Sequence, residues 1–83
     1  MSALAARKAP TKQNALLLID LAHTHVQRGD QDEGCRLLGE AYAVAAAKRS
    51  EKVARRVLEV RRDLNPRAAA TRQLDQQLLA SWL

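Results

Sequence analysis

The chain has 83 residues, 47% of them hydrophobic, and a formal net charge of +5. A chain of this length makes one domain that buries only about 63% of the surface its unfolded form exposes, so its core is thin and a neighbouring surface would help it. A lone cysteine excludes an internal disulfide framework, and no apolar run approaches the length that spans a bilayer or forms a signal-peptide core.

Tyr42 and Trp82 are the aromatic residues, and Phe is absent. Leu, Val and Ala must therefore build the core. This composition favours helices, and no period-two alternation of apolar and polar residues argues for a strand. An all-α fold is expected, with two antiparallel helical hairpins stacked in a right-handed, repeat-like way.

Residues 1–10 carry no strong pattern and read as a flexible arm, or as the point where a larger protein was cut. Pro10 steers Ala9 away from helix, and Thr11 is placed to cap a first helix over residues 12–28. At about 100° per residue, Ala15, Leu18, Leu21, Ala22, His25 and Val26 share one face. Leu17 and Ile19 flank that face. Leu16 falls on the polar side, as either a harmless exposed leucine or the mark of a second contact surface. Gly29 suits a left-handed helix stop, and Asp30 then caps a second helix over residues 31–48. Asp32 and Glu33 meet the positive end of that helix. Gly34, Leu37, Leu38, Ala41, Tyr42 and Ala45 form its inner side. Gly34 costs about 1 kcal/mol of helix propensity relative to Ala, and close approach of the two backbones is the expected return.

Ser50 is the next cap, opening a third helix over residues 51–64. Its stripe is Val53, Val57, Val60 and Leu64, broadened by Ala54 and Leu58. Asn65-Pro66 ends it, and a fourth helix is expected over residues 66–82 with Leu74, Leu78 and Trp82 at steps of four and Leu79 to one side. The expected core has two layers. Leu18, Leu21, Ala22, His25, Leu38, Ala41 and Tyr42 form the first, and Val53, Val57, Val60, Leu64, Leu74 and Leu78 form the second.

The first hairpin, Ala15–Ala46, resembles a tetratricopeptide repeat. Leu18 stands at the family's early large position, Leu21-Ala22 at its Leu-small pair, Gly29 at the turn, Gly34 and Leu38 at a small-large pair, and Ala41-Tyr42 at the next. His25 replaces an aromatic residue and Ala46 a proline. Residues 50–83 do not repeat the pattern cleanly. The endings VARRVLEVRRDLNP and TRQLDQQL are similar to the C-terminal repeat region of actinobacterial helix-turn-helix transcription regulators. That resemblance implies a dimerising or ligand-sensing module in the bacterial cytoplasm, separate from the part that reads DNA.

Chemistry is harder to find. His23 and His25 lie about 200° apart on a helix and cannot chelate one ion. Asp30, Asp32 and Gly34 do not complete a calcium loop, because Cys35 and Ala41 fall where that loop needs Gly and Glu. Cys35 has no His beside it in sequence and no second Cys, and reads as a structural thiol. No catalytic residue, cofactor-binding loop or metal ligand set stands out. Lys48 to Arg62 holds seven basic residues and two acidic ones. Lys52, Arg55, Arg56 and Arg62 could meet a nucleic acid or an acidic partner. The same residues could equally form a solvated helix face laced by Glu51–Arg55 and Arg55–Glu59 pairs. A membrane surface fits less well, because no Phe or Trp lies on the third helix.

These readings converge on a non-catalytic protein-protein interaction module, the dimerisation or regulatory domain of a bacterial transcription regulator. The partner is the chain itself, as a homodimer with isologous contacts, or another protein or peptide. Leu74, Leu78, Leu79 and Trp82 are the expected self-association residues. A basic helical nucleic-acid binder is the alternative.

Overall fold

The computed structural model describes residues 12–82, leaving aside the side chains of Lys12, Ser81 and Trp82. The arm over residues 1–10 and the capping role of Thr11 lie outside the described residues. Within them the protein is all-helical: α1 Lys12–Gln27, α2 Gln31–Lys48, α3 Glu51–Arg61 and α4 Ala69–Trp82.

Local chemistry sets most of these boundaries. Gly29 takes φ 87°, a conformation that costs a residue without a Cβ almost nothing. Its N–H reaches Val26 O at 3.0 Å and the Asp30 N–H reaches His25 O at 2.8 Å, closing α1. The Asp30 carboxylate then accepts from the Glu33 N–H, and Ser50 Oγ accepts from the Val53 N–H, so both expected caps open their helices. α2 ends on Arg49, which adopts the left-handed conformation at φ 53° although it carries a side chain. The Ser50 N–H completes that turn on Ala45 O at 2.9 Å.

The link between α3 and α4 is longer than expected. α3 stops at Arg61, short of Leu64, and α4 starts at Ala69, past Pro66. Asn65 supplies the reason. Its side-chain oxygen accepts from the Arg67 N–H at 3.0 Å, and its carbonyl accepts from the Ala68 N–H at 3.1 Å. This local turn competes with the first turn of a helix at Pro66. The Gln31 side chain, at the start of α2, accepts from the Asn65 N–H at 3.0 Å and pins the link to the first hairpin.

α2 is the centre of the packing. It lies against α1, α3 and α4, and α1 also packs on α3. Gly34 makes the tight crossing expected of it: a Cβ there would meet Val26 Cγ2 at 2.6 Å and Ala22 O at 3.3 Å. The inner side of α2 is buried as expected, and Cys35, Gly39 and Val44 are buried with it because helices cover α2 on several sides.

The buried face of α1 differs from the expected one. Ala15, Ile19, Ala22 and Val26 form it, whereas Leu21 is 53% exposed and Leu18 and His25 are only partly buried. Ile19 therefore replaces Leu21 in the first layer. Leu16 is half-buried against the core, so it is not a free exposed leucine. The corrected stripe reveals a repeat. Thirty-eight residues further on, Val53, Val57, Val60 and Leu64 occupy the same four positions of the second hairpin, and all are buried. Leu74 is buried and Leu78 half-buried, which gives the second layer its expected members.

Hydrogen bonds between the hairpins carry the same period. Asp20 meets Arg56, Gln31 meets Asn65, Cys35 meets Thr71, Gly39 meets Gln77 and Tyr42 meets Leu78, with separations of 34 to 38 residues. Residue numbers rise together on both sides of these contacts. α3 therefore lies beside α1, and α4 beside α2, each running parallel to its counterpart. The second hairpin is stacked on the first by translation.

Candidate functional site

Three surfaces arise from this stack: a groove between α2 and α4, the basic outer face of α3, and two open ends where the repeat stops.

The groove is open and encloses about 450 Å³. Its floor is set by Gly39, whose missing side chain admits Gln77. The Gln77 amide donates to Gly39 O at 2.8 Å. Cys35 and Leu74 line the wall, with Cys35 Sγ 3.8 Å from Thr71 Oγ1. Burial pushes the Cys35 thiol up, against the lowering effect of the Thr71 hydrogen bond. That reduces its thiolate content and so its reactivity. At the rim, Arg36 is held by Glu33, at 2.9 and 2.5 Å, and by Glu40. The Arg36 hydrogen bond keeps the Glu33 carboxyl below its ordinary value. The groove thus presents Arg36 already paired with Glu40 and the adjoining Glu33, with Asp32 beside them. Sequence reasoning did not single out Gln77, because nothing in a local pattern places it over a glycine 38 residues earlier.

The basic face is only partly free. Lys52, Arg55 and Arg56 border one shallow groove together with Glu51 and Glu59, so three cations share it with two carboxylates. Arg56 donates to Glu59 at 2.7 Å and to Asp20 at 3.4 Å, and these pairs form where Glu51–Arg55 and Arg55–Glu59 were expected. Arg56 thereby joins α3 to α1. Arg62 is exposed but lies at the end of α3, outside that groove. Arg61, which the sequence did not single out, makes a two-pronged bond to Asp75 at 2.5 and 2.7 Å and ties α3 to α4. The Arg61 guanidinium holds the Asp75 carboxyl below its ordinary value. His23 and His25 point to different acids, Asp63 at 3.6 Å and Asp30 at 3.4 Å. Among the described residues no three His, Cys, Asp or Glu side chains gather as metal ligands would.

The four residues of the expected self-association stripe have four different fates. Leu74 is only 3% exposed and packs in the core of its own chain, so it cannot anchor a partner. Leu78 is half-buried, and its carbonyl accepts from the Tyr42 hydroxyl at 3.2 Å. Leu79 is exposed at 65%. Trp82 closes α4, and its side chain lies outside the described residues. The structure adds Leu17, Leu21 and Leu58 as exposed large hydrophobics. Leu17 was legible as a flanking residue, whereas Leu21 was assigned to the core.

Among the described residues no helix is long and apolar enough to cross a membrane. Comparison with protein-family models, with curated proteins and with solved structures finds no match to this chain.

Proposed function

We propose that this domain is a non-catalytic protein-protein interaction module that associates with copies of itself, serving as the dimerisation or regulatory domain of a bacterial transcription regulator. One observation carries the self-association reading: Leu17, Leu21, Leu58 and Leu79 remain about half or more exposed on a stack whose interior is otherwise filled. Large apolar side chains left exposed at the ends of a small domain offer surfaces that a partner covers. The link to transcription rests on the resemblance of VARRVLEVRRDLNP and TRQLDQQL to the endings of such regulators.

The test is the solution mass of the folded chain across a concentration series. Association that rises with protein concentration supports the reading, and one chain per particle at every concentration rejects it. Nucleic-acid binding through Lys52, Arg55, Arg56 and Arg62 is the competing reading. It predicts duplex DNA affinity that falls steeply with salt. The pairing of Arg56 with Glu59 and Asp20 counts against it. The interaction module should show little duplex binding at physiological salt.

A further inference from the structure

The stacking of the two hairpins also indicates how two copies would meet. Within the chain, Arg56 on α3 and Asp63 just past its end reach α1, on Asp20 and His23. Thirty-eight residues earlier, the matching positions on α1 are Leu18 and His25, and Leu17 and Leu21 match Arg55 and Glu59, which stay exposed at the outer margin of that contact, Glu59 accepting from Arg56. α1 therefore turns outward the flank that α3 uses for docking. On α1 that flank and its outer margin are apolar: Leu18 is half-buried on the flank, and Leu17 and Leu21 are exposed beside it.

The other end follows from the same translation. The α1 positions that receive α3, Asp20 and His23, correspond on α3 to Leu58 and Arg61. Leu58 is 47% exposed. Leu79 lies on α4, the other helix of that end, and is 65% exposed. The four exposed large hydrophobics among the described residues thus divide two and two between the ends of the stack.

We infer that these two ends bind each other between copies. The α1 flank of one chain seats on the α3–α4 end of the next, continuing the α1–α3 contact across the chain boundary. The partner is a second copy, and the contact is heterologous, so it leaves one end free on each side and does not close at two chains. This inference rests on the self-association reading and replaces a two-fold contact through α4.

Two double variants test it, Leu17→Glu/Leu21→Glu at one end and Leu58→Glu/Leu79→Glu at the other. Helix content by circular dichroism checks folding, and the corresponding Leu→Gln pairs replace either variant that fails to fold. Sedimentation of the wild-type chain should show a mass that climbs past two chains. Each double variant should associate about a hundredfold more weakly. An equimolar mixture of the two should form a one-to-one dimer, because each retains the end the other has lost. A variant that still assembles like wild type, or a mixture that stays monomeric while wild type assembles, overturns the head-to-tail contact and leaves self-association standing. A wild-type chain that is monomeric throughout overturns both.

Discussion

The two hairpins of this protein are held together differently. In the first, small residues let α1 and α2 approach until Gly34 leaves no room for a methyl group beside Val26. In the second, α3 and α4 each lean on α2 more than on each other, and the Arg61–Asp75 bridge spans them. The same stripe spacing thus produces a self-closing pair when Ala and Gly fill the crossing, and a dependent pair when Val fills it. The second hairpin needs the first as its floor.

The largest expected effect follows from that dependence. Ile19 is fully buried between α1 and α2, and Ile19→Ala should destabilise the whole domain by about 2–5 kcal/mol in urea unfolding. Leu74 lies equally deep in the core but anchors only α4. Amide hydrogen exchange should therefore show Leu74→Ala releasing α4 first, with the amides of α2 still protected. Equal loss of protection in α2 and α4 would erase the distinction between the hairpins.

The two glycines of α2 sharpen it. Gly34→Ala forces a methyl group against a branched side chain and a backbone carbonyl, and should cost about 1–3 kcal/mol despite better helix propensity. Gly39→Ala meets only the flexible end of Gln77, at 2.7 Å. That side chain can swing away, so its lost hydrogen bond offsets a helix-propensity gain of about 1 kcal/mol, and stability should stay nearly unchanged.

Smaller effects lie at the junctions. Arg49 holds a left-handed conformation that costs a side-chain-bearing residue about 1 kcal/mol, so Arg49→Gly should raise the unfolding midpoint. The Arg61–Asp75 bridge is partly exposed, and after solvent screening Asp75→Asn should cost about 0.5–1 kcal/mol at neutral pH. Folding lowers the Asp75 pKa, so its stabilisation is full above the unfolded value and fades as pH falls through the folded one. Wild type and variant should converge in acid. A gap that persists there would assign the effect to packing.

Much of the first hairpin was legible because its signals are local. Gly29, Asp30, Gly34 and Ser50 each act through the turn in which they sit. The rotation of α1 toward Ile19 was not legible. Four consecutive apolar residues, Leu16 to Ile19, flatten the helical period, and Leu18 and Leu21 together outweigh one isoleucine in any local pattern. That misassignment also hid the repeat, which became visible once burial had fixed the stripe. Leu74 fits both the second core layer and the self-association stripe in sequence, and only its burial in the fold decides for the core. The left-handed turn at Arg49 was not legible, since arginine carries no signal for that conformation. The end surfaces follow from how the hairpins translate, which no single helix displays.

The most direct test of the account is the concentration dependence of mass for the unmodified chain, measured by sedimentation equilibrium. The account predicts an average mass that keeps rising beyond two chains without a plateau, and nearly the same curve at high salt because the ends are apolar. A particle of one chain at every concentration would contradict self-association itself, and a sharp plateau at two would contradict the head-to-tail contact in favour of a closed dimer.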